Sequence, residues 1–203
     1  MDTSPAGPRT FVWRTVACQM TTYFLIGWIA STVLNYRELF GSGASQGDGS
    51  WHYMRSFDSP WIAAGPMLQC VRGSLFAFVL WPVRSLWIDE KRGWLTVWLL
   101  FIGLAILGPT AAAPGSLEGV LFTTLPLASH LLGLPETVVQ TLLFCVLVQR
   151  WYRHDNRWWN RLMIAGVIIV CCLSTLGILA ALYPKSFATP RGNNGDPYVV
   201  LEF

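Results

Sequence analysis

Charge is what this sequence has least of. Asp, Glu, Lys and Arg make up 12% of its 203 residues, about half the share of an ordinary soluble domain. The deficit is concentrated in long uncharged blocks, which excludes a water-solvated fold over most of the chain. Lys and Arg number 14 against 11 Asp and Glu, for a net charge of +3. A nucleic-acid-binding surface would gather such basic residues on one soluble face. Here they fall between apolar blocks, so nucleic acid is excluded as a partner and the basic residues read as membrane-topology signals.

Chemical motifs are missing as well. The five cysteines, Cys18, Cys70, Cys145, Cys171 and Cys172, form no CxxC pair and lie inside apolar blocks, so they read as small packing residues. There is no GxSxG, Walker-type loop, dinucleotide fingerprint, HExxH or CxxCH. The Gly41-Ser42-Gly43-Ala44-Ser45 run lacks the strand–turn–helix setting of a nucleophile loop. No internal repeat or soluble domain is visible, and no cofactor is specified.

What is present is hydrophobic length: 53% of the chain is apolar. A helix needs about 20 apolar residues to cross a hydrocarbon core of about 30 Å. Blocks at 15–36, 61–83, 93–112, 135–152 and 162–183 meet or approach that length. The runs are continuously apolar and lack the period-two alternation of barrel strands, so each predicts a helix whose backbone bonds close within itself. The fold expected is all-α, a polytopic transmembrane bundle of about five spans over 15–184. It has an N-terminal piece at 1–14 and a tail at 185–203. The first block is too long for the apolar core of a signal peptide and no A-x-A site follows it directly, so it reads as a retained span.

Charge sets the expected orientation. With the N-terminus inside, the cytoplasmic pieces hold Arg9, Arg14, Arg84, Lys91, Arg92, Arg150, Arg153, Arg157 and Arg161, and the outer pieces hold Arg37, Arg55, Lys185 and Arg191. The positive-inside rule then predicts a cytoplasmic N-terminus and an outer C-terminus. Trp81, Trp87 and Trp94, and Trp151, Tyr152, Trp158 and Trp159, flank the two inner connections as an expected interfacial belt, with Gln149 to Arg161 as an interfacial loop or, alternatively, a docking surface for anionic lipid or an acidic partner. The Gly- and Ser-rich stretch 41–50 predicts a mobile outer loop, with Trp51-His52-Tyr53 lying back on the outer surface. The tail's polar turn and apolar end suit docking or fraying.

The connection at 109–135 is too apolar for a solvated loop, and Pro109, Pro114, Pro126, Pro135, Gly115, Gly119 and Gly133 interrupt it. Short helical pieces in the interface, or a re-entrant dip, are expected between spans three and four. Broken backbone at membrane depth must be covered by protein or line a cavity. Pro135 suits the start of the fourth helix, with Glu136 favoured in its first turn.

Polar residues at depth supply the candidate site. Arg72 is the charge within span two. Counted from Pro60 it lies about 18 Å down, and from Pro66 about 9 Å; Gly65-Pro66 favours the shallower start. Gln140 is then at a similar depth, about 8 Å. Gln69 and Arg72 share one helix face, as do Glu136 and Gln140. These faces are expected to oppose each other, with Arg72 paired to Glu136 or Glu118 in a ligand-binding site or a structural ion pair. Glu118, His130 and Glu136 are the catalytic candidates and weak metal-ligand candidates.

The function these residues favour is a non-catalytic subunit or binding component that engages a partner protein or lipid-like ligand through its outer half. The alternative is an intramembrane enzyme acting on a lipid-like substrate with a carboxylate–histidine site. A small carrier working as a homodimer is a third reading. The partners expected are membrane lipids and either another protein or a second copy.

Overall fold

Proline and short polar side chains decide where the helices begin. The computed structural model describes residues 7–35, 59–107, 113–124, 126–154, 156–183, 188–189 and 199–200. The expected mobile loop at 41–50, the Trp51-His52-Tyr53 contact and most of the tail lie outside the described residues.

Helix α1 (Pro8–Val33) starts at a proline, whose missing N–H is unneeded in the first turn. It ends where Leu34 N donates to Ala30 O and Asn35 turns to φ 45°, a left-handed conformation that Asn tolerates. Helix α2 (Pro60–Leu80) likewise starts at a proline after Ser59. Pro66 is inside it, so the shallower start expected for span two is corrected: Ser59-Pro60 is the true N-terminus. A short 3₁₀ turn (Arg84–Leu86) leads to helix α3 (Gly93–Leu107). At 15 residues α3 rises about 22 Å, and positions 108–112 of the expected third span lie outside the described residues.

Two short helices follow, α4 (Leu117–Phe122) and α5 (Leu127–Leu132). The connection between the third and fourth apolar helices is therefore broken into pieces, as its prolines and glycines predict. Helix α6 (Leu134–Arg153) carries Pro135 and Glu136 in its first turn. Helix α7 (Arg157–Leu182) is capped by Asn156 Oδ1, which accepts from Trp158 N at 3.2 Å. The connection from α6 to α7 is thus residues 154–156, and the expected interfacial loop over Gln149 to Arg161 is mostly helix. Strand β1 (Ala188–Thr189) pairs antiparallel with β2 (Val199–Val200).

The bundle is all-α: among the described residues four helices are long and apolar enough to cross a membrane, α1, α2, α6 (with the last turn of α5) and α7, and α3 is a shorter apolar helix. Four such helices fit a multi-pass membrane protein. Helix α1 is the hub: it packs on α2, α6 and α7, while α2 packs on α7 and α3 on α6. The α1–α2 approach is close enough that a Cβ on Gly73 would lie 2.8 Å from Val16 Cα, the kind of small-residue contact that brings membrane helices together. Leu75, Phe78 and Val79 on α2, Leu99, Leu100 and Leu104 on α3, and Ile168, Ile169 and Leu176 on α7 are exposed, while Thr15, Gln19, Thr22, Gln140, Gln149 and Ser174 are buried. Apolar side chains outside and polar ones inside suit a lipid surround.

The start of α1, the α2–α3 connection and the α6–α7 connection meet at one end of the bundle. Arg14 is buried there and donates from Nη1 to Trp151 O at 3.0 Å. Its guanidinium carbon is 5.3 Å and 5.1 Å from the ring centroids of Trp151 and Tyr152. This contact explains why α1 continues inward past the charge-free block that begins at Thr15: the arginine is held at the carbonyl end of α6, where a cation is favoured. Phe11 meets the rings of Trp81, Trp87 and Tyr152. Gln149 Nε2 donates to the carbonyls of Trp87, Ile88 and Glu90, and its Oε1 accepts from Trp94 N. The expected aromatic belt is corrected in part: Trp87 and Trp151 are buried packing residues, 2% and 1% exposed, whereas Trp158 is exposed.

Candidate functional site

The two faces expected to oppose each other are joined through a residue of α1. Gln140 on α6 donates from Nε2 to Gln19 Oε1 at 3.3 Å, and Gln19 donates from its own Nε2 to Gln69 Oε1 on α2 at 3.1 Å. Thr22, one turn along α1, is 3.5 Å from Gln140 Nε2 and donates its own hydroxyl proton to Cys18 O at 2.7 Å. Gln19 is fully buried, Gln140 and Thr22 nearly so, and Gln69 is half-buried. An amide chain of this kind satisfies polar groups that hydrocarbon would leave without partners. Gln69 and Gln140 stand at the same depth because both bond Gln19, not because α2 starts at Pro66.

Either side of this chain the faces differ in character. Toward the end of the bundle where α6 begins, Glu136 is half-buried against α1, and a Cβ on Gly27 would lie 3.7 Å from its Oε1. Toward the other end, Phe76, Phe101 and Phe144 meet as a ring cluster, with centroids 4.9, 5.6 and 6.0 Å apart. Arg72 lies between Gln69 and Phe76 on α2, with its guanidinium carbon 5.3 Å from the Phe76 centroid. Tyr23, one turn beyond Gln19, is within electrostatic reach of both Arg72 and Glu136.

Arg72 is exposed rather than enclosed among the helices, a departure from the inward-facing charge expected of a span. The reason is local. Gly73 takes the α1 contact, so the neighbouring position is turned about 100° away, on a helix of 3.6 residues per turn. Arg72 lies 12 residues after Pro60 and 8 before Leu80, about 18 Å and about 12 Å along the axis. That is near the middle of the helix.

Two of the catalytic and metal candidates, Glu118 and His130, lie in the broken connection, and the third, Glu136, is in the first turn of α6. Glu118 is half-buried in the first turn of α4. His130 is 2% exposed, and both its ring nitrogens are engaged. Its Nδ1 accepts from Gly115 N at 3.2 Å, and its Nε2 is 3.3 Å from Thr123 Oγ1. Thr123 Oγ1 donates onward to Gly119 O at 2.7 Å. With Nδ1 accepting, the neutral ring carries its hydrogen on Nε2 and donates to Thr123. His130 therefore ties the broken connection together. Gly115, at φ 83°, and Gly119, where a Cβ would lie 2.0 Å from Ala113 O, make room for that tie. Among the described residues, no three His, Cys, Asp or Glu side chains converge as metal ligands.

The residues that sequence reasoning missed are Gln19, Thr22, Arg14 and Gln149. The signal for Gln19 was present, since an amide in the middle of an uncharged span needs a partner. No family model matches this chain, and neither a curated protein nor a solved structure resembles it.

Proposed function

We propose that this chain is a non-catalytic membrane component, a subunit or binding protein that engages a partner protein or lipid-like ligand within the bilayer through the flank of α2 that bears Arg72. The observation that carries the reading is Arg72: an exposed guanidinium near the middle of a membrane-length helix. A charge at that depth costs about 3 kcal/mol or more facing hydrocarbon, so the protein functions with that position covered. Gln69, Gln19 and Gln140 bond one another between the helices. The enzymatic alternative is less favoured, because both His130 nitrogens are used in holding the chain.

The reading sets the basic end of the bundle, with Arg14, Arg84, Arg92, Arg150 and Arg153, on the cytoplasmic side in line with the positive-inside rule. Reporter fusions at the two termini test that orientation: a cytoplasmic N-terminus and an outer C-terminus are expected. The binding reading is tested by identifying what co-purifies in mild detergent. A stoichiometric protein or lipid that Arg72→Leu loses is expected; a wild-type chain that emerges alone counts against it.

A further inference from the structure

The covering of Arg72 is specified by its depth and by what surrounds it. The exposed residues around it on α2 are apolar: Leu68, Val71, Leu75, Phe78 and Val79. Ser74 on the same helix bonds Cys70 O at 2.8 Å and does not extend a polar patch. A phospholipid headgroup stays at the interface, whereas Arg72 is about 18 Å and about 12 Å from the two ends of its helix. Among the described residues, helices α2 and α3 are not packed along their length and touch through the Phe76 and Phe101 rings, which leaves the flank of α2 beside Arg72 open to another helix. An apolar surface with one central cation complements an apolar helix with one central carboxylate.

The long apolar helices described for this chain would not supply that carboxylate from a second copy. Across α1, α2, α3, α6 and α7 the one acid is Glu136. It belongs to the first turn of α6, well away from mid-span, with its carboxylate against α1 at Gly27.

We infer that the flank of α2 centred on Arg72, Val71 and Leu75 is the docking surface for a transmembrane helix of a different protein that carries an Asp or Glu at mid-bilayer depth. This rests on the binding reading above and names the partner's chemistry. The carboxylate ion-pairs with Arg72, and the apolar residues either side pack on Leu68, Leu75 and Val79. Each half is costly alone in lipid, so pairing also selects against wrong partners.

The test uses the full chain reconstituted in phosphatidylcholine vesicles and a synthetic Leu/Ala transmembrane peptide of about 22 residues with one central Asp. Association is read by energy transfer between labels on the two. The Asp peptide is expected to associate roughly tenfold more strongly than a peptide with Leu at that position. Arg72→Leu, which removes a charge from the bilayer and leaves the helix contacts intact, should lose that preference while keeping its helical circular dichroism. Arg72→Lys should keep most of it, and Arg72→Glu should transfer it to a peptide with a central Lys. Equal association of the Asp and Leu peptides overturns the inference, as does an Asp preference that survives in Arg72→Leu. If the Asp peptide shows no preference but phosphatidic acid is retained through purification in an Arg72-dependent way, a lipid is the occupant. The inference then fails while the binding reading stands. If Arg72→Leu changes nothing that co-purifies, the binding reading itself fails.

Discussion

Gln19 on α1 donates a hydrogen bond to Gln69 on α2 across 3.1 Å, and the same Gln19 side chain accepts from Gln140 on α6. One fully buried amide thus couples three membrane-length helices. In hydrocarbon, removing the middle member leaves both outer amides short of a partner. Gln19→Leu should therefore destabilise the bundle by about 1–3 kcal/mol, more than Gln69→Leu, whose side chain is half-buried. Reversible unfolding in detergent measures both. A Gln19→Leu, Gln140→Leu double-mutant cycle should give a coupling of about 0.5–2 kcal/mol.

Helix contact at Gly73 gives a second expectation. A methyl group there would lie 2.8 Å from the Val16 backbone and 3.2 Å from Gln19 Cβ, so α1 and α2 must separate to admit it. Gly73→Ala should cost about 1–3 kcal/mol. Gly103→Ala on α3, where nothing lies within 4 Å, should be neutral or stabilising by up to about 1 kcal/mol. Thermal midpoints of the two variants give the comparison, and equal losses would contradict the packing described.

The Arg14 contact predicts that shape matters as well as charge. A guanidinium can bond Trp151 O while lying over the Trp151 and Tyr152 rings, and an ammonium has neither the plane nor the fork for this. Arg14→Ala is expected to lower stability by about 2 kcal/mol, and Arg14→Lys to recover less than half of that. Unfolding midpoints decide it; full recovery by Lys would reduce Arg14 to a point charge.

His130 should behave as a tie rather than as a catalyst or a ligand. His130→Ala removes the acceptor of the Gly115 N–H and the partner of Thr123. Amide exchange at Gly115 and Gly119 should speed up by roughly tenfold or more, with little change in the α1, α2 and α6 amides. A chelator should leave the unfolding midpoint of the wild type unchanged. A large shift on chelation would revive the metal-ligand reading of His130.

Much of the fold was legible because hydrocarbon imposes a simple rule on sequence. The apolar blocks found the four membrane-length helices and the shorter α3, and Pro135 with Glu136 marked the start of α6. The shared faces of Gln69 with Arg72 and of Glu136 with Gln140 pointed toward the polar region. The boundaries were less legible, because absence of charge was used to place them. Helix α1 runs through Arg9 and Arg14 to Pro8, since the carbonyl of Trp151 and two aromatic rings hold the Arg14 charge. Helix α7 starts at Arg157 for want of any need to stop at a charge outside the apolar run. Pro66 resembled a start but lies within α2, and the Ser59-Pro60 pair was the better signal. Gln19 escaped notice because an uncharged amide does not interrupt an apolar run. The exposure of Arg72 depends on which residue of α2 contacts α1, which a sequence pattern does not give.

Native mass spectrometry of the chain released from mild detergent, wild type beside Arg72→Leu, tests the central claim most directly. The account predicts a stoichiometric bound species on the wild type that Arg72→Leu releases while remaining folded. A bare wild-type monomer, or the same species bound equally to both, would contradict it.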